Sequence, residues 1–202
     1  MHELLSTPER VKILEEVLQK NAVGVEEVSR KLGVSKGLVS KTLHLLLKHG
    51  IAVKKGRKFH IIDSPKTREL KRFLNFIVLS EKLKGLKEDW ILALGIYGSF
   101  ASGENREDSD IDVWVFAKRE ELIKSARLKK RISELTGRDA DLIVLTPSRI
   151  SRLQKEDPIF YYSLVYGSMV IWGERLDRLQ PLLRAGPAEK SASIQREGVA
   201  EH

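Results

Sequence analysis

The sequence predicts an α+β chain of two modules: three helices and a β-hairpin, followed by a unit in which strands and helices alternate. Three observations carry that prediction. Across residues 1–64, apolar residues recur at helical spacing and then give way to two short β-rich runs. Beyond residue 65, apolar runs of strand length alternate with amphipathic stretches of helix length. Between the two lies Asp63-Ser64-Pro65, a polar break followed by a residue suited to opening a helix. The expected modules are therefore 1–64 and 65–185, with 186–202 left as a disordered tail of small and polar residues.

In the first module, Thr7 and Pro8 form a helix start, a capping hydroxyl followed by proline at the first helical position. Val11, Leu14, Val17 and Leu18 follow at helical spacing, and Gly24 breaks the pattern. A short second helix over 25–32 places Val28 and Leu32 inward, and Gly33 to Ser35 makes the turn. Ser35 caps a third helix that runs to about Lys48, where Gly50 supplies a left-handed stop. Residues 51–53 and 59–62 are short strands joined by a tip that contains Gly56.

In the second module, residues 66–84 predict a long helix with Leu70, Phe73, Leu74, Ile77 and Val78 on one face. Strands are expected over 90–97, 110–117 and 141–145, with 169–172 closing the sheet. The segment 100–109 predicts a loop, 119–135 a basic helix stopped by Gly137, and Pro147 and Pro158 the starts of two more helices. Trp90, Trp114 and Trp172 lie in or beside strands and are assigned to the core.

Composition narrows the function classes. The 202 residues contain no cysteine, which excludes disulfides and thiolate metal sites. No apolar run approaches the ~18 residues of a membrane span, and the first residues lack the order of a signal peptide. A soluble, cytoplasmic protein without a membrane partner is expected. The net charge of +8 favours a polyanionic partner.

One stretch carries chemistry. Gly98 and Ser99 follow directly on a strand, where glycine lets backbone amides approach a ligand and the hydroxyl adds a further donor for phosphate oxygens. Asp110 and Asp112 stand two apart at the head of the next strand, so alternation puts both carboxylates on one face while Ile111 and Val113 point into a core. Paired carboxylates repel each other unless a cation lies between them, and all-oxygen ligands suit Mg²⁺ or Mn²⁺. Asp141 opens the third apolar strand and supplies a third acid; Asp139 shares its parity two residues earlier. Three such carboxylates can hold two ions for phosphoryl transfer.

Gly98, Ser99, Asp110, Asp112 and Asp141 resemble the motif of the DNA polymerase β nucleotidyltransferase superfamily, in its minimal bacterial and archaeal form, over roughly residues 70–173. The resemblance implies a short mixed sheet flanked by helices. It implies that Ser99 contacts a triphosphate, usually ATP. It also implies that Asp110 and Asp112 bind both metals and that Asp141 binds the catalytic metal and helps deprotonate a hydroxyl acceptor. The acceptor it implies is a partner protein such as a toxin, a small molecule or an RNA end. The chain departs from that pattern at Ser102, where many small members carry arginine; Arg106 offers a cation in the same loop. Arg127, Lys129, Lys130 and Arg131 form either a solvated helix face or a contact for triphosphate or a polyanionic acceptor.

A second constellation lies in the first module. Val39, Leu43, Leu46 and Leu47 make a core stripe, leaving Lys36, Ser40, Lys41 and His44 on the opposite side of the third helix. Short polar and basic side chains there suit phosphates and base edges of a major groove. Lys54, Lys55, Arg57 and Lys58 concentrate charge at the hairpin tip, as adjacent phosphates require. Residues 7–62 resemble the winged helix-turn-helix of archaeal and bacterial transcription regulators, which implies DNA as a partner. Leu38 and Leu45 form a further apolar stripe, for burial against the first helix or for a homodimer contact. Two functions follow: an NMP-transferring enzyme with DNA binding attached, or a DNA-binding regulator whose second module only senses nucleotide or dimerises.

Overall fold

The computed structural model describes residues 2–179; the expected tail at 186–202 lies outside them. A 3-10 turn, His2–Leu5, precedes α1 (Pro8–Val17), β1 (Ala22–Val23), α2 (Val25–Leu32) and α3 (Lys36–Lys48). The strands β2 (Ala52–Lys55) and β3 (Lys58–Ile61) form the hairpin. Thr7 and Ser35 cap α1 and α3 with their side chains, accepting from Arg10 N and Leu38 N. The sequence pattern does not reveal β1, a two-residue strand that pairs antiparallel with β3 on the side away from β2. Ile13, Leu14, Val17, Val39, Leu43, Leu46 and Phe59 are fully or almost fully buried in this half. Leu38 and Leu45 are half-buried and pack against the same cluster.

The long helix α4 (Pro65–Leu83) starts at the Ser64 cap and leads to β4 (Ile91–Tyr97), α5 (Gly98–Ser102) and β5 (Ile111–Ala117). Then follow α6 (Leu122–Thr136), β6 (Ala140–Leu145), α7 (Pro147–Glu156), α8 (Pro158–Gly167) and β7 (Met169–Gly173). The four strands form one mixed sheet in the order β6-β5-β4-β7. Strands β5 and β6 are parallel, and the other two pairs are antiparallel. The region 100–109, expected as a loop, opens on the single helical turn of α5, because Glu104 N and Asn105 N fold back onto Ser99 O at 2.9 and 3.1 Å.

Both faces of the sheet are covered, which explains why β5 is an almost unbroken apolar run. Ile111, Val113 and Val115 pack with Leu79 and Leu83 of α4 and Leu128 and Ile132 of α6. Trp114 and Phe116 face the other way, against Ile150 of α7, Tyr161 and Leu164 of α8, and Leu176 and Leu179. The Trp114 indole fits because residue 95 has no side chain: a Cβ at Gly95 would lie 2.7 Å from Trp114 Nε1. Trp114 is fully buried, and Trp90 and Trp172 are half-buried at the sheet. Helix α4 serves both halves, since Leu70 and Leu74 belong to the N-terminal cluster and Leu79 and Leu83 to the sheet. Among the described residues, no helix is long and apolar enough to cross a membrane.

Candidate active site

At one end of the sheet, three polar side chains stand in a row across neighbouring strands. Tyr97 is in register with Asp112, and Asp112 with Asp141. Neighbouring strands lie ~4.8 Å apart and in-register residues share a face. That face is the one carrying Trp114 and Phe116, so the aromatic core ends in a polar rim.

Gly98 adjoins the row. Its φ is 64°, and a Cβ there would overlap Asp112 Oδ2 and lie 2.9 Å from Asp112 Cγ. Ser99 follows within α5, and its carbonyl gathers Glu104 N, Asn105 N and the Ser102 hydroxyl, the last at 3.2 Å.

Asp110 lies just ahead of β5 and is exposed, whereas Asp112 is half-buried within the strand. Burial pushes the Asp112 carboxyl above its ordinary range, and the charges of Asp141 and Asp110 push it further. The Tyr97 phenol is pushed up to about 12, first by burial and then by Asp112 and Asp141. Asp141 is exposed and carries an ion pair with Lys129 of α6 at 3.3 Å. Asp139, also exposed, uses its carbonyl to accept from Ile111 N at 2.8 Å.

The three acids therefore share one end of the sheet without converging: among the described residues, no group of three or more acids or histidines stands close enough to hold an ion. Asp141 pairs with Lys129, and Asp110 precedes the strand rather than opening it. Among the described residues, neither Asp110 nor Asp112 has a cation within ion-pair distance. An all-oxygen set with surplus negative charge fits a hard divalent cation.

Sequence reasoning missed the residues that hold the loop between Ser99 and Asp110. Asn105 is fully buried. Asn75 Nδ2 donates to Phe100 O and to Asn105 Oδ1, each at 2.9 Å, and buried Lys71 donates to Asn105 O. Burial lowers the Lys71 ammonium pKa. Both residues had a signal: they lie four apart on α4, within the stretch from Leu70 to Leu79 that packs inward. Arg138, between α6 and β6, donates to the carbonyls of Arg106, Glu107 and Ser109 and lies 5.1 Å from the Phe100 ring centroid. Arg106, the cation in the same loop as Ser102, donates its backbone N–H to Ser109 Oγ at 2.8 Å. Ser102 Oγ also donates to Glu104 at 3.3 Å. On α6, Lys130 and Arg131 pair with Glu134 and Glu88; Arg127 is exposed.

The residues expected to contact DNA gather on one part of the N-terminal half. Lys36, Lys41 and His44 are exposed on α3, Ser40 is half-buried, and Lys54, Lys55, Arg57 and Lys58 are exposed on the hairpin. His44 meets the Phe59 ring edge-on at 5.4 Å, and Lys54 lies over the same ring at 5.6 Å. Phe59 thus joins hairpin and helix into one basic surface. Lys36 is tied to Glu26 at 2.8 Å.

A family model for the nucleotidyltransferase domain matches residues 79–165, the stretch that contains the polar row and the glycine turn. The protein adenylyltransferase MntA of Thermococcus cleftensis is 33% identical over 69 residues, covering 33% of this chain and 70% of that protein. A candidate protein adenylyltransferase of Methanocaldococcus jannaschii is 40% identical over 62 residues, covering 30% of this chain and 64% of its own length. The chain belongs to the nucleotidyltransferase family. Among solved structures, a toxin-antitoxin assembly with AMP-PNP is similar at 20% identity, covering 60% of this chain and 97% of that one, with a TM-score of 0.39.

Proposed function

We propose that this chain transfers a nucleoside monophosphate, AMP from ATP, to a side-chain hydroxyl of a partner protein such as a toxin. The observation that carries this reading is the in-register row Tyr97, Asp112 and Asp141 against the Gly98–Ser99 turn. The two adenylyltransferase relatives support the choice of AMP and of a protein acceptor.

In this reading the Gly98 and Ser99 amides and the Ser99 hydroxyl bind triphosphate oxygens. Asp110, Asp112 and Asp141 would hold the divalent metals, two in the full site. Bound Mg²⁺ or Mn²⁺ neutralises charge on the triphosphate and acidifies the acceptor hydroxyl. The Asp141 carboxylate takes the proton of that hydroxyl, whose oxygen bonds to the α-phosphorus as the bond to pyrophosphate breaks. Lys129, already 3.3 Å from Asp141, offers a cation to the departing pyrophosphate. Burial and the neighbouring carboxylates raise the Asp112 pKa, so a cation bound beside it would favour its ionised form.

We further propose that residues 1–64 form a winged helix that binds DNA through α3 and the hairpin tip, and that 65–185 form the transferase module. The exposed Lys54, Lys55, Arg57 and Lys58 of the hairpin, with Lys54 and His44 meeting at the Phe59 ring, support this.

The deciding experiment incubates the chain with labelled ATP, Mg²⁺ and candidate protein acceptors. Label should pass to an acceptor and be lost with Asp112→Asn or Asp141→Asn. A chain that binds no ATP refutes the reading, and ATP binding without transfer to any acceptor moves the site to a nucleotide sensor.

A further inference from the structure

We propose that Arg138 is a positioning residue that sets the geometry of the nucleotide site and makes α1 of the N-terminal half part of it. The proposal rests on the site assignment above.

The argument starts from where the side chain reaches. Nη1 donates to the carbonyls of Arg106, Glu107 and Ser109 at 3.3, 3.0 and 2.8 Å, three of the four residues immediately before Asp110. The guanidinium lies 5.1 Å from the ring centroid of Phe100, the residue after Ser99. Arg138 also lies three residues before Asp141, in the segment whose Asp139 carbonyl accepts from Ile111 N at 2.8 Å. One side chain therefore springs from the approach to Asp141 and touches both the approach to Asp110 and the turn that carries Ser99. A planar fork of N–H groups can hold several carbonyls at fixed angles, which a lysine ammonium on a flexible stem does less well.

Its other nitrogen points elsewhere. Nη2 donates to Gln19 Oε1, just beyond the end of α1. A second, separate set of contacts joins the same surfaces: Lys20 and Lys31 reach Glu107 at 3.6 and 3.2 Å and share Glu16 at 3.0 and 2.9 Å. The loop 103–110 is thus held from the sheet side by Arg138, which Gln19 holds in turn, and from the N-terminal side by Lys20 and Lys31 at Glu107. Exposed ion pairs hold weakly on their own, whereas the half-buried arginine ties three carbonyls of one loop to a single rigid group.

The test uses the full chain and two readouts. Amide hydrogen exchange over 103–110, without nucleotide, reports the loop; calorimetric titration with ATP and Mn²⁺ reports the site. Arg138→Ala should speed exchange of these amides about tenfold and weaken ATP about tenfold. Arg138→Lys should recover only part of each effect. Gln19→Ala, at a residue away from the carboxylates, should give about threefold changes in the same direction, and should add nothing to Arg138→Ala. Exchange that rises equally across α6 and β6 while ATP affinity stays unchanged would make Arg138 merely structural. Additive effects of the two substitutions would remove Gln19 from the clamp, and with it the role of α1. If the wild-type chain binds no ATP, the site assignment fails, and the exchange results alone still decide whether Arg138 and Gln19 hold the loop.

Discussion

Gly98 and Asp112 occupy adjoining space: at φ 64° the glycine faces the carboxylate so closely that a Cβ would overlap Oδ2. Gly98→Ala must therefore either displace Asp112 or unwind the start of α5. The left-handed backbone alone costs about 1–2 kcal/mol for a residue with a side chain. Unfolding in urea should show at least that loss, and nucleotide transfer should fall on the order of 10²-fold, as an ångström-scale misplacement implies. Wild-type transfer by this variant would show that the contact plays no part in the site.

Asp112→Asn should make the metal-free protein more stable near neutral pH. The sign follows from the raised pKa, which arises from burial and from the charges of Asp141 and Asp110. The folded chain holds this proton more tightly than the unfolded chain does, so stability falls as pH rises from the ordinary carboxylate range through the raised value. Asparagine removes that loss. After screening at this half-exposed position, the gain is at most about 1 kcal/mol. Melting curves in chelator should separate the two proteins near neutral pH and converge below about pH 3.5, where both unfolded and folded aspartate are protonated.

Tyr97 offers an optical reporter of the same row. Its phenol, pushed up to about 12 by burial and by the neighbouring carboxylates, should be the last tyrosine to ionise in an ultraviolet pH titration. Tyr97→Phe should delete that late step. Asp112→Asn should bring it to lower pH, because removing a negative neighbour favours tyrosinate. A late step unaffected by Asp112→Asn would mean that Asp112 plays no part in setting it.

At the hairpin, replacing Lys54, Lys55, Arg57 and Lys58 by alanine should weaken duplex binding and flatten its salt dependence. Each phosphate contact contributes a slope of about 0.9, so up to about 3–4 units should disappear from the log–log plot. Gel-shift titrations over a range of salt measure this, and an unchanged slope would remove the hairpin from the DNA contact.

Much of this arrangement follows from periodicity. Alternation in β5 places Asp112 opposite Ile111 and Val113, and the apolar run after Asp141 marks β6. What lay hidden has physical reasons. The two-residue strand β1 exists only because β3 offers it an edge. Five residues of α5 are too few to show a helical period. Asp110 and Asp112 share parity, but parity does not say where the strand begins, and β5 starts one residue after Asp110. Lys71 and Asn75 were visible as polar residues on an inward helix face, whereas nothing local to Arg138 indicates a side chain that reaches Gln19, just past the end of α1.

Helix α4 has a consequence for how the molecule can be divided. A boundary at Ser64 and Pro65 looks clean along the chain, yet Leu70 and Leu74 lie in the N-terminal cluster at 5% and 2% exposure. A fragment begun at residue 65 would carry both leucines bare, a sticky seam prone to self-association. A fragment ended at 64 would have an open socket in place of its floor. The two halves should melt as one cooperative unit, and the useful cut for separating them comes within α4, not before it.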